Sequence, residues 1–169
     1  MEERATSCCF TGHRPSHLPW GSNELDPRCR ALKQELSYRL KGIYDAGYRH
    51  FICGMALGCD MYFAEAVLKL RKEHPDVSLE AAIPCGGQPE RWSKAQRERY
   101  NRLIDQCDKV QVLQIAYTPD CMMKRNRYMV DHASLLLACS RSLPGGTMNT
   151  MLYALRQGVR VVTVDIDDR

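Results

Sequence analysis

Three short glycine-bearing segments of this sequence combine residue types that could bind an anion. Residues 11–15 read TGHRP, residues 54–60 read GMALGCD, and residues 144–150 read PGGTMNT. Glycines let backbone N–H groups approach a phosphate closely, and a helix that begins after such a turn presents its positive end to the ligand. The segments therefore predict a site for a phosphate-bearing, nucleotide-like small molecule, without indicating what is done to it.

The candidate ligand-binding residues come from these segments and from a basic stretch, KRNR, at residues 124–127. They are Gly12, His13, Arg14, Gly54, Gly58, Asp60, Arg125, Asn126, Gly145, Gly146, Thr147, Asn149 and Thr150. Arginine can bind phosphate bidentately, histidine can exchange a proton, and a carboxylate can bind a ribose hydroxyl. The second segment fits neither the dinucleotide fingerprint nor the P-loop.

Each of these signals also has a structural interpretation. His13 and Arg14 could be solvated loop residues, and Asp60 could be a first-turn carboxylate favoured by the helix dipole. A charged stretch on a helix is commonly a solvated face. Trp92 could stack on a nucleobase or anchor its helix to the sheet, and the anchor is the favoured interpretation. The segment at 85–89 could form a further loop at the rim of the site.

Strand-like and helix-like apolar patterns alternate along the whole chain. The predicted strands are 7–10, 50–53, 79–84, 109–114, 134–138 and 159–164, and the predicted helices are 27–46, 59–74, 93–106, 120–132 and 148–157. Short apolar strands joined through helices indicate an α/β fold, namely a single Rossmann-like three-layer domain over 1–169 with a mostly parallel central sheet of about six strands. Ligands bind outside the carboxyl ends of such strands, so we expect the three glycine turns on one edge.

The amino-acid composition of the chain narrows the kinds of protein that it can be. The chain has 169 residues with 24 basic and 20 acidic side chains, and a net charge of +4 is too small to imply nucleic acid by itself. Nine cysteines, an odd number without a CxxC pair, favour free thiols in a reducing cytoplasm. The N-terminal residues do not resemble a signal peptide, and no apolar run approaches the roughly 20 residues of a membrane span. We expect a cytoplasmic protein with no cofactor, no metal and no membrane contact. The sequence leaves open whether the chain forms a homo-oligomer.

The same residues resemble a known family. TGHRP at 11–15, Gly54-x3-Gly58-x-Asp60, NRxMVD at 126–131 and GGTxNT at 145–150 are similar to the YpsA-like branch of the SLOG superfamily, in the same order over nearly the whole chain. The resemblance implies a Rossmann-like sheet with a nucleotide-derived ligand at the glycine turns, in a little-characterised bacterial family. The superfamily includes DNA-processing protein A, which binds single-stranded DNA, and the Lonely-guy phosphoribohydrolases, which cleave nucleoside monophosphates.

One departure from the hydrolase pattern bears on activity. The hydrolases carry PGGxGTxxE, whereas this chain has Met148, Asn149 and Leu152 at the last Gly, the Thr and the catalytic Glu. Leucine cannot stabilise an oxocarbenium ion or move a proton, which argues against phosphoribohydrolase activity. His13, Asp60 or Asp131 could supply chemistry instead, and the sequence does not select among them.

Three functions therefore compete. The favoured one is a binding or regulatory sensing module for a nucleotide-derived small molecule. The second is a nucleotide-processing N-glycosidase. The third is a single-stranded nucleic-acid binder that uses Arg125, Arg127 and the face from Arg91 to Arg102.

Overall fold

Residues 3–166 are described by a computed structural model, in which strands and helices alternate. The strands are β1 (Ser7–Gly12), β2 (His50–Cys53), β3 (Ser78–Ile83), β4 (Lys109–Val112), β5 (Leu135–Ser140) and β6 (Arg160–Asp165). The α-helices are α1 (Pro27–Asp45), α2 (Cys59–Glu73), α3 (Lys94–Gln106), α4 (Cys121–Asp131) and α5 (Gly146–Arg156). Short 3-10 helices at Arg4–Thr6 and Pro15–His17 precede and follow β1.

Local sequence signals explain where the first helix begins and which face it buries. The Asp26 carboxylate accepts a hydrogen bond from the Arg28 backbone N–H at 2.8 Å, and Pro27 occupies the first turn, where its missing N–H costs nothing. Apolar residues three or four positions apart then form the stripe that faces the core. They are Leu32, Leu36, Leu40 and Ile43.

The six strands form one parallel sheet in the order β4-β3-β2-β1-β5-β6. Side chains alternate between its two faces, so Phe10 packs into one apolar cluster and Cys9 into the other. Helices α1, α2 and α3 contribute to the first cluster, and α4 and α5 contribute to the second. The prediction of a Rossmann-like three-layer fold with a parallel six-stranded sheet is confirmed.

The order of the strands creates one switch point. The chain builds the sheet outward from β1 to β4, then returns through α4 to place β5 on the other side of β1. The loops after β1 and β5 consequently leave the sheet toward opposite faces, which opens a crevice between them. Gly12 and Cys139 are paired at the carboxyl ends of these two strands.

Three element boundaries at this crevice differ from the sequence prediction. Strand β1 runs to Gly12 rather than ending at Phe10, because Thr11 and Gly12 still pair with β5. Helix α5 begins at Gly146 rather than Met148, because Gly145 caps it with φ of 139°, a conformation that favours glycine. Strand β5 continues to Ser140 rather than ending at Ala138, because Ser140 still pairs with Asp165 of β6.

A buried polar network ties the sheet to α4. Glu80, which is 1 % exposed, contacts His50 Nε2 through Oε1 at 2.7 Å and accepts a hydrogen bond from the Tyr128 hydroxyl at Oε2. His50 Nδ1 lies 2.6 Å from Ser78 Oγ. Burial raises the pKa of Glu80, but its hydrogen bonds with His50 and Tyr128 outweigh burial and hold the pKa below the ordinary 4.5.

We expect Tyr128→Phe to lower the free energy of unfolding at pH 7 by about 1–3 kcal/mol, because a buried carboxylate oxygen loses its donor. Since folding lowers the pKa of Glu80, its stabilising contribution is complete above 4.5 and is lost as the pH falls below that value. The difference between the two proteins should therefore shrink in acid. Urea titrations at several pH values measure it, with Tyr38→Phe, at a side chain 71 % exposed, as the control. Equal stability of wild type and Tyr128→Phe at pH 7 would contradict the role given to this bond.

The cysteines are spread through the fold as free thiols, nearly all of them buried. Burial raises the pKa of the Cys8 thiol to about 12, so this residue acts as a small apolar side chain. Within residues 3–166, no three His, Cys, Asp or Glu side chains are grouped so as to hold a metal ion. In the same part of the chain, no helix has the length and apolar character needed to cross a membrane.

Candidate functional site

A cavity of about 260 Å³ lies at the switch point, outside the carboxyl ends of β1 and β5. It is lined by β1 and its following loop (Phe10, Thr11, Gly12, His13, Arg14, His17), by Ala56 and Asp60 near the start of α2, by Met122, Arg125, Asn126 and Met129 of α4, and by Pro144, Gly145, Gly146 and Thr147. The three segments that the sequence singled out therefore meet the basic stretch in one space.

The amino terminus of α5 opens into this cavity. The N-cap residue Gly145 offers no side chain to the helix, and Asn149 is the first residue of the turn whose N–H bonds back, to the Gly145 carbonyl at 2.9 Å. The amides of Gly146, Thr147 and Met148 precede it and have no acceptor within the helix. Free amides at a helix amino terminus, together with the helix dipole, are the arrangement that favours an anion.

Arg125 supplies a guanidinium group from beneath the cavity. The residue is 4 % exposed, and its Nη1 donates to the Gly54 carbonyl at 2.7 Å and to the Ala82 carbonyl at 3.5 Å. Its Nε donates to Asn126 Oδ1 at 2.9 Å. Burial lowers the pKa of Arg125, yet a guanidinium stays protonated at neutral pH. The sheet thus holds a fixed positive charge under the site.

Gly54 contributes to the site through this arginine rather than through a ligand-facing amide. It does not line the cavity, and a Cβ at its position would lie 2.6 Å from Arg125 Cζ. Only glycine allows the guanidinium to lie directly on the end of β2.

Asp60 is a buried carboxyl group in the same cavity. Asp60 is 7 % exposed, and its Oδ2 accepts a hydrogen bond from the Ala56 N–H at 3.0 Å. Burial raises the pKa of Asp60, and the charges of Arg125 and Arg14 offset only part of that rise. A carboxyl in this position can accept a hydrogen bond from a sugar hydroxyl, or hold a proton above the usual pH range.

His13 joins the loops that follow β1 and β5. Its Nε2 accepts a hydrogen bond from the Arg141 backbone N–H at 3.0 Å, which places the ring proton on Nδ1. Burial, and then the charges of His17 and Arg141, lower the pKa of His13. The ring is therefore neutral at physiological pH and positions the α5 turn instead of supplying a positive charge.

Gly12 and Gly58 allow α2 to pack tightly against the turn after β1. A Cβ at Gly12 would lie 2.5 Å from Cys59 Cβ, and one at Gly58 would lie 2.7 Å from the His13 carbonyl oxygen. Gly58 also has φ of 91°, which disfavours any other residue. Gly58 thus shapes the site from outside it, while Gly12 lines the cavity.

The predicted site residues on α5 differ in whether they face the cavity. Thr147 faces the cavity, whereas Asn149 is exposed on the helix surface and Thr150 donates its hydroxyl to the Gly146 carbonyl at 2.7 Å. Of the thirteen predicted site residues, Gly54, Gly58, Asn149 and Thr150 lie outside the cavity lining.

A comparison with known proteins shows the family to which this chain belongs. Residues 8–157 match the family model YpsA, described as the YspA SLOG family. The chain belongs to this SLOG family. Among curated relatives, a UPF0398 protein of Bacillus pumilus is 29 % identical over 130 residues, which cover 76 % of this chain and 69 % of the relative. An uncharacterised SPbeta prophage-derived protein of Bacillus subtilis, YoqJ, is 31 % identical over 116 residues, covering 62 % of this chain and 68 % of that protein.

A solved structure shares the fold of this SLOG family member. The DNA processing protein A of Streptococcus pneumoniae superposes with a TM-score of 0.60 at 15 % sequence identity. The match covers 94 % of this chain but half of the pneumococcal structure. At this identity the likeness concerns the fold alone.

Several lining residues were not picked out by the sequence. Met122 is the most central, because its Sδ lies 3.6 Å from Arg14 Nη2 and 3.7 Å from Arg125 Nη2, between the two guanidinium groups. It stands one helical turn before Arg125, which is the spacing that places side chains next to each other on α4. Ala56 and His17 carried no distinguishing signal.

A second, larger cavity of about 900 Å³ adjoins the first, and Arg14, Ala56 and Met122 line both. The segment at 85–89 contributes to its wall, as does Trp92. Trp92 packs edge-on against Tyr100 with the ring centroids 5.4 Å apart. Trp92 therefore serves as an anchor and also lines a cavity.

Proposed function

We propose that this chain binds a phosphate-bearing, nucleotide-derived small molecule in the switch-point cavity and acts as a binding or sensing module. The observation that carries the proposal is that the free amino terminus of α5 and the buried guanidinium of Arg125 share one cavity. Arg14 adds a second positive charge at the rim, against the single carboxyl of Asp60. Backbone amides, a helix dipole and two arginines are complementary to a phosphate dianion.

A panel of nucleotides tested by thermal shift, with mass spectrometry of the purified protein for a retained ligand, tests this function. A ligand at about 100 times its Kd adds about 2.7 kcal/mol to the free energy of unfolding, which raises the Tm of a chain of this size by about 5–11 °C. Absence of any shift across the panel, with no heat of binding by calorimetry, would contradict the proposal.

We expect Arg14→Ala to weaken nucleotide binding about fivefold at low salt, because the variant loses a partly solvated charge contact with the phosphate. The loss should become smaller at high salt, where screening has already weakened the attraction. Calorimetric titrations at two salt concentrations measure the effect. Arg30→Ala, at an exposed position on α1, is the control. Wild-type affinity in Arg14→Ala would show that the Arg14 side chain is solvated and does not contact the phosphate.

The surroundings of Asp60 favour an enzyme as the second candidate function. A buried carboxyl with a raised pKa inside a cavity has the features of a general acid. Leu152, however, stands where the hydrolases carry their glutamate, and it is 46 % exposed on α5, outside the cavity lining. Glycosidic cleavage needs a group that stabilises positive charge on the sugar as well as one that protonates the leaving base.

We therefore expect no release of free base when the protein is incubated with nucleoside monophosphates, as followed by chromatography. Asp60→Asn separates the alternatives. Turnover above background that disappears in Asp60→Asn would make this chain an enzyme with a relocated carboxylate.

The basic stretch on α4 gives less support to a nucleic-acid binder. Arg125 is buried, Lys124 pairs with Asp120 at 3.5 Å, and the Arg127 guanidinium lies 5.3 Å from the centre of the Tyr153 ring. These residues point in different directions and do not form a continuous surface that could follow a phosphate backbone.

A further inference from the structure

We propose that the larger cavity is a base-binding subsite in which a nucleobase stacks on Trp92 while its phosphate lies at the amino terminus of α5. This inference rests on the proposed function and names the part of the ligand that the smaller cavity leaves unplaced. It adds the place at which the base of that ligand binds and the side chain on which it stacks.

The two cavities are joined along one wall. Arg14, Ala56 and Met122 line both of them. The smaller cavity, at about 260 Å³, lies below the usual size range of small-molecule sites, whereas the larger, at about 900 Å³, lies near its upper end. A sugar phosphate would leave the larger cavity empty, and a nucleotide extends from one into the other past Met122.

Trp92 is held in place as a stacking surface. Its indole packs edge-on against Tyr100, and its backbone N–H donates to the Pro89 carbonyl at 3.1 Å. Because the ring is fixed before a ligand enters, stacking on it loses little side-chain entropy. Indole is also the aromatic side chain with the largest surface for a base.

Exposed apolar side chains surround the mouth of the same cavity. Ile115 is 92 % exposed and Tyr117 is 67 % exposed, and both line the cavity. The Gly86 N–H donates to the Ile115 carbonyl at 3.2 Å, which ties this loop to the loop that carries Trp92. A planar ligand between Trp92 and Tyr117 would cover apolar surface that is otherwise in water.

Gln88 supplies a polar group to the cavity wall. Its Nε2 donates to the Gly54 and Met55 carbonyls at 3.3 and 3.5 Å, which fixes the amide orientation. Its Oε1 is buried and has no hydrogen-bond partner among the described residues. Because this oxygen is closed to solvent, Gln88 contributes a rigid part of the cavity wall and not a contact with the base.

Calorimetry with adenosine 5′-monophosphate, ribose 5-phosphate and adenosine tests the assignment. Trp92→Ala should weaken the binding of the monophosphate and of adenosine by about 5- to 150-fold, the range of one base–aromatic stack, and leave that of ribose 5-phosphate unchanged. Trp92→Phe should restore most of the affinity. Tyr117→Ala repeats the test at an exposed side chain that folding does not need, and Tyr38→Ala is the matched control on α1.

The outcomes separate this inference from the proposed function. Equal affinity for adenosine 5′-monophosphate and ribose 5-phosphate, unchanged in Trp92→Ala and Tyr117→Ala, would overturn the base subsite and leave the phosphate site standing. Adenosine binding that depends on Trp92, with no gain from the phosphate, would support the base subsite and contradict the phosphate site. Absence of binding by all three probes would overturn both.

Discussion

Replacing Gly146 with valine is expected to abolish the stabilisation of the protein by nucleotides. Gly146 lines the switch-point cavity at the first position of α5, and a Cβ at this position would have no heavy atom within 4 Å. The unliganded fold should therefore accept the side chain, whereas a phosphate approaching the helix amides would meet it. At a ligand concentration of about 100 times the wild-type Kd, the gain of about 2.7 kcal/mol should disappear.

Gly42→Val provides the matched control for this variant. Gly42 lies on α1, and a Cβ there would likewise have no heavy atom within 4 Å, so both substitutions add the same side chain to an open helical position. Thermal unfolding with and without nucleotide compares them. A Gly146→Val protein that is stabilised as strongly as Gly42→Val would place the ligand elsewhere.

Gly54→Ala is expected to damage both stability and binding. The added methyl group would overlap with Arg125 Nη1 and lie 2.6 Å from its Cζ, and the buried guanidinium cannot move away without losing its bonds to the Gly54 and Ala82 carbonyls. We expect the free energy of unfolding to fall by about 1–3 kcal/mol, the usual range for overpacking. Nucleotide affinity should fall as well, because the charge beneath the phosphate is displaced.

A double-mutant cycle with Arg125→Ala identifies the cause. Removing the guanidinium makes room for the methyl group, so Gly54→Ala should be much less destabilising in the Arg125→Ala background. Urea unfolding of the four proteins gives the coupling energy. Additive effects of the two substitutions would show that Gly54 acts on stability independently of Arg125.

The sequence predicted the sheet and the position of most turns because each glycine segment directly follows a short apolar strand. Parallel strands bring their carboxyl ends to one edge, so Gly12, Gly58 and Gly146 were expected near each other. Gly12 and Gly146 line the cavity, and Gly58 packs against the His13 carbonyl outside it. The predicted start of α5 was wrong by two residues, since Gly145 and Gly146 have low helix propensity. That error placed Asn149 and Thr150 in the first turn of the helix, whereas the Asn149 N–H already bonds to the Gly145 carbonyl and its side chain is exposed.

The burial of Arg125 was hidden by its charged neighbours. The KRNR stretch has the composition of a solvated face, but Cys121, Arg125 and Met129 are spaced four residues apart and are all buried on one side of α4. This spacing was present in the sequence and could have revealed the buried arginine. The contact of Met122 with both arginines depends on how α4 is placed against the loop after β1, which no local pattern encodes.

The proposed function requires that a phosphate bind at the amino terminus of α5, and NMR titration of the backbone amides detects such binding at each residue. Ribose 5-phosphate should shift the amide resonances of Gly146, Thr147 and Met148 in proportion to occupancy, and the Arg125 Nε signal should move with them. The amide of Gly42 on α1 should stay in place as an internal reference. Unchanged α5 resonances at high concentrations of ribose 5-phosphate, adenosine 5′-monophosphate and inorganic phosphate would contradict phosphate binding at this helix.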